Sequence, residues 1–220
     1  MFLSIKRVNS KEVRESLRIF NERNDLNFFD LGKIRPSLET RRAITLALVR
    51  SLLVEKGILS YEQAKKVEIH RLKSGKPFLK SPQIHQQVLP SLSISHSGSW
   101  IGCLLSDKKS PVGLDIEDLT VNRSYKKLSE YAFSKEENQF VSETEGIGFY
   151  QLWTAKEAIA KCNGKGLSYA MRMNLGNKLE NYPSNQWKIV KVRNKEYEIY
   201  QQILEDSLVV TLARKQSLSE

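Results

Sequence analysis

The stretch Val112-Gly113-Leu114-Asp115-Ile116-Glu117 decides how this chain is read. Apolar and polar residues alternate along it with a period of two, which predicts a strand. On a strand, residues two apart point to the same side, about 6.5–7 Å from one another. Asp115 and Glu117 therefore share a face, while Val112, Leu114 and Ile116 look toward a core. Two carboxylates side by side repel unless a cation joins them. Hard oxygen ligands of this kind suit Mg²⁺, which completes its octahedron with water and substrate phosphate. The plainer reading of the same residues is a solvated face on an edge strand.

Outward from this strand the chain alternates between helical and extended patterns. C-terminal to it, Ser134 and Glu137 form a capping box that opens a helix running to Glu143. A second helix is expected from Ile147 to Cys162, with a core face of Phe149, Leu152, Ala155 and Ile159, and Asn163-Gly164 ends it. Three strand patterns close the chain at Trp187–Val192, Tyr197–Leu204 and Leu208–Ala213. N-terminal to the central strand, Leu92–His96 and Trp100–Leu105 flank Ser97-Gly98-Ser99 as a hairpin. Val67–Leu72 alternates like a strand, and Gly75-Lys76-Pro77 is a break. A helix begins after Pro36 with Ser37 as its N-cap and stops at Lys56-Gly57. Residues 1–35 carry only short helical patterns, around Lys11–Asn21. The fold class is α+β, helices packed on antiparallel sheets, with a division near Lys108–Val112.

Composition limits the function. The chain has 220 residues, 40% of them hydrophobic and 27% charged, which excludes a disordered or fibrous chain. No apolar run is long enough to span a bilayer, and the N-terminus lacks a signal peptide, so a cytoplasmic protein is expected. Two cysteines, Cys103 and Cys162, make no disulfide scaffold and read as small buried residues. The net charge of +10 draws anionic partners without choosing among them.

Two further features bear on chemistry. Trp153, Glu157 and Lys161 are spaced i, i+4, i+8 and share a helix face away from the apolar one. Alone they are an exposed Glu–Lys pair worth about 0.2–0.5 kcal/mol; with Asp115 and Glu117 they would complete a metal–phosphate site. Ser95-His96-Ser97 places one of three histidines at a strand end, where it could bind phosphate, act as a base or pack. No Cys/His spacing suggests zinc, and neither a Walker A motif nor G-x-G-x-x-G is present.

In order, Gly75-Lys76-Pro77, Ser93–Ser97, Val112–Glu117, Phe133-Ser134-Lys135-Glu136-Glu137, Trp153–Lys161 and Gly164-Lys165-Gly166-Leu167 resemble the motifs of the 4′-phosphopantetheinyl transferase superfamily. The length resembles the larger, surfactin-synthetase-activating (Sfp) type. That resemblance implies a pseudo-dimer of two similar α+β halves, residues 1–110 contributing to coenzyme A binding and residues 111–220 carrying the metal site and carrier docking, with the active site in the cleft between them. It implies transfer of the phosphopantetheine arm of coenzyme A to a serine of an apo carrier protein, with release of adenosine 3′,5′-bisphosphate. Asp115, Glu117 and Glu157 would hold Mg²⁺, with Mn²⁺ as the alternative ion. Glu157, or Glu136 through water, would take the serine proton, and Lys161 would contact the phosphates. Ser95 and His96 would hold coenzyme A phosphates, Arg41 the 3′-phosphate, and Lys76 and Pro77 the adenine site. The N-terminal third departs from the pattern at Phe20–Asp25 and at Glu39-Thr40-Arg41-Arg42. An acidic acyl, peptidyl or polyketide carrier is the implied partner, docking on the segment from Glu117 through Lys126-Lys127 to Phe140, and a monomer is expected, with no nucleic acid or membrane. The competing readings are a basic nucleic-acid-binding module, which leaves the carboxylates unexplained, and a catalytically inactive transferase-fold partner protein.

Overall fold

The computed structural model describes residues 1–20, 36–86, 88–106, 110–179 and 185–216. Residues 21–25 of the departing N-terminal stretch, and Lys108 of the expected division, lie outside them. The chain divides into two compact units, Met1–Lys109 and Ser110–Glu220.

In the first unit, β1 (Phe2–Arg7) leads through α1 (Lys11–Phe20), α2 (Leu38–Glu55) and α3 (Tyr61–Ala64) into β2 (Glu68–Arg71), β3 (Pro77–Lys80), β4 (Ser91–Ser97) and β5 (Trp100–Ser106). Strands β1, β5 and β4 form one antiparallel sheet in that order, and β2 pairs with β3 as a separate hairpin. Helix α2 starts as its sequence requires: the Ser37 hydroxyl accepts the Thr40 N–H at 3.1 Å, and Gly57 ends it with φ at 64°. Its inner side, with Ile44, Leu48 and Leu52, joins Leu92, Ile101, Cys103 and Leu105 of the sheet in one core.

In the second unit, β6 (Val112–Asp118) is followed by α4 (Tyr125–Ala132), α5 (Lys135–Glu143), α6 (Ile147–Asn163) and α7 (Leu167–Met171). A hairpin meander, β7 (Trp187–Val192), β8 (Lys195–Leu204) and β9 (Leu208–Lys215), then closes an antiparallel sheet of order β6-β9-β8-β7. The core lies between this sheet and α6; Leu152 and Ile159 of the helix are fully buried against Tyr197, Ile199 and Val209, each aliphatic side chain contributing about 1.5–3 kcal/mol. Both units run the same course. A strand leads into helices, and the last strand of a closing hairpin returns beside the first, β5 beside β1 and β9 beside β6.

The α+β class and the antiparallel sheets are as expected. Several elements are additions. β1 lies where residues 1–35 gave no strand pattern, α3, α4 and α7 fill segments without an expected element, and the Gly75-Lys76-Pro77 break turns the chain into β3, which begins at Pro77 and pairs with β2.

Candidate functional site

The polar residues that stood out in the sequence fall into a cluster in the second unit and a concavity in the first.

The cluster is built on β6 and α6. Strand β6 is buried along its whole length, so the solvated-face reading of Asp115 and Glu117 is wrong: they are 5% and 6% exposed. The helix can come this close because position 113 has no side chain. A Cβ there would lie 1.8 Å from the Ala158 carbonyl oxygen and 2.7 Å from the Cys162 N–H nitrogen, so the two backbones touch at this point. Strand alternation then turns Asp115 and Glu117 to the same side as Gly113, toward α6. Lys161 Nζ donates to Asp115 Oδ1 at 2.7 Å, and the Arg123 Nη2 donates to Glu117 Oε2 at 2.6 Å. The expected exposed Glu157–Lys161 pair is thus corrected: Lys161 reaches across to the strand, and Glu157 is half-buried. Burial, then the charge of Asp115, push the Glu157 carboxyl above its usual range, with Lys161 opposing. Trp153 stacks on Phe149 at 5.5 Å instead of standing on a polar face.

Beneath the cluster, Thr154 Oγ1 meets Thr211 Oγ1 at 2.7 Å, and Gln201 Nε2 donates to Thr211 Oγ1 at 2.8 Å. Thr211 is the register partner of Asp115, so this buried network fixes the helix on the sheet next to the carboxylate. On the other side of α6, Lys156 is fully buried. Its Nζ donates to Glu137 Oε2 at 2.8 Å and lies 4.4 Å from the Phe133 ring centroid. Glu137 also accepts the Ser134 N–H at 2.9 Å, closing the expected capping box, and the Leu175 N–H at 2.7 Å.

Glu136 stands apart. It is on the first turn of α5, accepts from the Ser134 hydroxyl at 2.7 Å, and is held below the usual carboxylate range by that bond first, then by a backbone hydrogen bond. Its remaining neighbours are Asn174 and Lys135, not the carboxylates of β6 and α6.

Among the described residues no three of His, Cys, Asp and Glu converge tightly enough to form a finished metal shell. The donor set nonetheless fits a hard divalent ion. Asp115 and Glu117 share a face, Glu157 feels the charge of Asp115, and the two strand carboxylates already hold cationic side chains.

The concavity of the first unit, about 460 Å³, is lined by Arg41, Arg42, Thr45, Arg71 and His96, with apolar walls from Leu38, Leu46, Ile69 and Ile94. Thr45 Oγ1 lies 2.6 Å from the Arg41 carbonyl and 2.9 Å from His96 Nε2. A hydroxyl has one proton. Given to the Arg41 carbonyl, it leaves the oxygen to accept from His96, so Nε2 carries a hydrogen and the ring is fixed in place. The Arg41 Nε is buried without a hydrogen-bond partner, an unmet donor beside the cavity. Arg71 is aimed by the hairpin turn, its Nη1 donating to the Gly75 carbonyl at 2.8 Å.

Of the residues expected around coenzyme A, Arg41 and His96 therefore share one wall. Ser95 lies on the opposite face of β4 from His96 and is buried at 4% exposure. Lys76 and Pro77 belong to the same hairpin as Arg71, but the concavity is lined from that hairpin by Ile69 and Arg71. Sequence reasoning missed Thr45, Arg71, Arg123 and the Lys156–Glu137 pair. Only Asp118-x-Thr120, a side-chain-closed turn, hinted that the chain folds back toward β6 after Glu117.

Comparison with known proteins points to the same superfamily. Residues 111–213 match the model of the 4′-phosphopantetheinyl transferase superfamily, a span that holds the whole β6–α6 cluster. The chain is similar to transferases of the Sfp type. It is 30% identical over 146 residues to the 4′-phosphopantetheinyl transferase psf-1 of Bacillus pumilus, covering 63% of this chain and 57% of that one. It is 29% identical over 167 residues to the 4′-phosphopantetheinyl transferase Sfp of Bacillus subtilis, covering 72% and 62%. It is 37% identical over 100 residues to the 4′-phosphopantetheinyl transferase gsp of Aneurinibacillus migulanus, covering 42% and 36%. The matched spans take in less than two thirds of the length of each of these relatives.

Proposed function

We infer that the protein transfers the 4′-phosphopantetheine arm of coenzyme A to a serine of an apo carrier protein and releases adenosine 3′,5′-bisphosphate. One observation carries this reading: inside the stretch that matches the superfamily, Asp115 and Glu117 share the face of β6 turned toward α6, where Lys161 binds Asp115 and Glu157 feels its charge. The two units, alike in topology, would act in this reading as the two halves of one Sfp-type monomer.

Asp115, Glu117 and Glu157 would hold Mg²⁺, or Mn²⁺ in its place. Bound there, the ion would neutralise the coenzyme A pyrophosphate and stabilise the departing bisphosphate. Lys161 would give up Asp115 for a phosphate oxygen and offset the charge that develops as the bond breaks. Glu157, or Glu136 through water, would take the serine proton. In the first unit, Arg41, Arg42 and Arg71 would take the 3′-phosphate. His96 would contact a phosphate from the place that Thr45 gives it. The apolar wall would cover the adenine, near Lys76 and Pro77. An acidic acyl, peptidyl or polyketide carrier suits a chain of net charge +10.

The test is intact mass spectrometry of apo carrier proteins mixed with the protein, Mg²⁺ and coenzyme A. One phosphopantetheine arm added to a carrier, lost with chelator and lost in Glu117→Ala and Lys161→Ala, is the expected result. Wild-type turnover by folded Glu117→Ala would overturn the metal assignment. Salt-sensitive binding to duplex DNA, without transfer to any carrier and without coenzyme A binding, would overturn the whole reading.

A further inference from the structure

The two strand carboxylates assigned to the metal are not waiting open. Each holds a side-chain cation: Lys161 on Asp115 and Arg123 on Glu117. Lys161 belongs to the motif that drew attention to α6. Arg123 does not, and its position has to be explained by the loop that carries it.

That loop leaves β6 at Asp118. The Asp118 Oδ1 accepts both the Thr120 N–H, at 3.0 Å, and the Thr120 hydroxyl, at 2.6 Å. The Val121 N–H adds a bond to the Asp118 carbonyl at 3.2 Å. The chain is thereby turned back on itself, and six residues after Glu117 the Arg123 guanidinium returns to that carboxylate. The pair is unequal in its setting. The Glu117 side chain is 8% exposed and that of Arg123 30%, so the arginine has a way out to solvent and the glutamate does not. Arg123 Nε is buried and makes no hydrogen bond, so the guanidinium has donor capacity that this arrangement does not use. A planar fork of this kind matches phosphate oxygens better than a single carboxylate oxygen does.

A divalent ion and a guanidinium repel each other when both contact one carboxylate. We propose that Arg123 is an exchangeable counter-ion: it occupies Glu117 while the site is empty and moves onto a phosphate of the incoming ligand when the divalent ion takes the carboxylate. This rests on the reading of Asp115 and Glu117 as metal ligands and goes beyond it. It makes Arg123 a positioning residue that ties metal binding to anion binding. By linkage, each ligand then strengthens the other by the same factor.

Direct metal binding tests this, with Mn²⁺ as the probe and the free-ion electron paramagnetic resonance signal as the readout. In the wild-type protein Mn²⁺ alone is expected to bind weakly and coenzyme A to strengthen it by about 5–150-fold, the usual span of coupling between sites. In Arg123→Gln, Mn²⁺ alone should bind more tightly than to wild type, and the strengthening by coenzyme A should shrink to what the contact of the ion with the pyrophosphate supplies. Arg123→Lys, which keeps the charge but not the fork, should keep the weak binding of Mn²⁺ alone and only part of the strengthening by coenzyme A, and this also controls for disturbance of the loop. Equal Mn²⁺ affinity in wild type and Arg123→Gln, with equal strengthening by coenzyme A, would overturn the counter-ion role and leave the metal ligands standing. A lysine variant that binds Mn²⁺ alone as tightly as the glutamine variant does would overturn it as well. No Mn²⁺ bound by any of the three proteins, with or without coenzyme A, would overturn the metal assignment together with it.

Discussion

Glu137 accepts three hydrogen bonds with two oxygens, from the Ser134 N–H, the Leu175 N–H and the Lys156 ammonium, and is fully buried. Removing it leaves a buried cation and two backbone donors without an acceptor. Glu137→Ala is therefore expected to cost about 3–5 kcal/mol, the cost of breaking a buried pair from one side, read as a lower midpoint in urea unfolding. Lys156→Met, which removes the cation and fills its space, should cost less. Thr45 acts on His96 through a single bond. Thr45→Val keeps the shape and releases the His96 ring, and should weaken coenzyme A binding by about 0.5–1.5 kcal/mol in calorimetry; Thr45→Ser should restore it. Glu157 carries a penalty of another kind. Its pKa in the folded protein lies above the unfolded value of 4.5, so the folded state keeps its proton over the interval between the two. Stability then falls as pH rises through that interval. Glu157→Gln, neutral throughout, should melt higher than wild type at pH 8 without divalent ions, and the gap should close toward pH 4. Cys103, by contrast, is inert; burial pushes its thiol up to about 12.

At the scale of elements, the contact of α6 with β6 is made between main chains. Gly113→Ala drives a methyl into the Ala158 carbonyl, and neither backbone has a rotamer to yield. A loss of about 3 kcal/mol, at the upper end for overpacking, is expected in thermal or urea melts, with transfer activity lost to a greater degree than stability. The same contact shows what could and could not be read from the sequence. The strand and the helix were legible, because period two and period 3.6 are local. So were the Ser37 and Ser134 caps, because a hydroxyl or carboxylate closes a turn three residues away. That α6 would cover the carboxylate face of β6 was not legible, because alternation separates two faces without saying which one a helix will cover. β1 was missed for a related reason: Phe2–Arg7 has one half-buried surface and no neighbour in sequence, and only its pairing with β5 makes it a strand. Arg123 and Arg71 reach their places through loop and hairpin geometry, which periodicity does not record.

For the molecule as a whole, the excess of basic residues is spread along the chain, and on the proposed reading its effect on an acidic carrier would be one of approach. The kcat/KM for the carrier is expected to fall about tenfold from low to high salt through slower association. Turnover at saturating carrier should stay within a factor of about two, because the cluster on β6 and α6 is buried and little screened. A salt effect on saturated turnover of the same size as on kcat/KM would show that the charge acts on the chemistry and not on encounter.

The joint at Gly113 has one more consequence, for how freely the rest of the chain can vary. A junction between two main chains, held beside Asp115 by Thr154, Thr211 and Gln201, depends little on which apolar side chains surround it. Leu152, Ile159 or Val209 could be exchanged for other apolar residues of similar volume, singly or together, while Lys161 kept its place over Asp115. The core and the reactive cluster can drift separately, and a campaign to stabilise the protein has wide latitude in the first and one forbidden methyl group in the second.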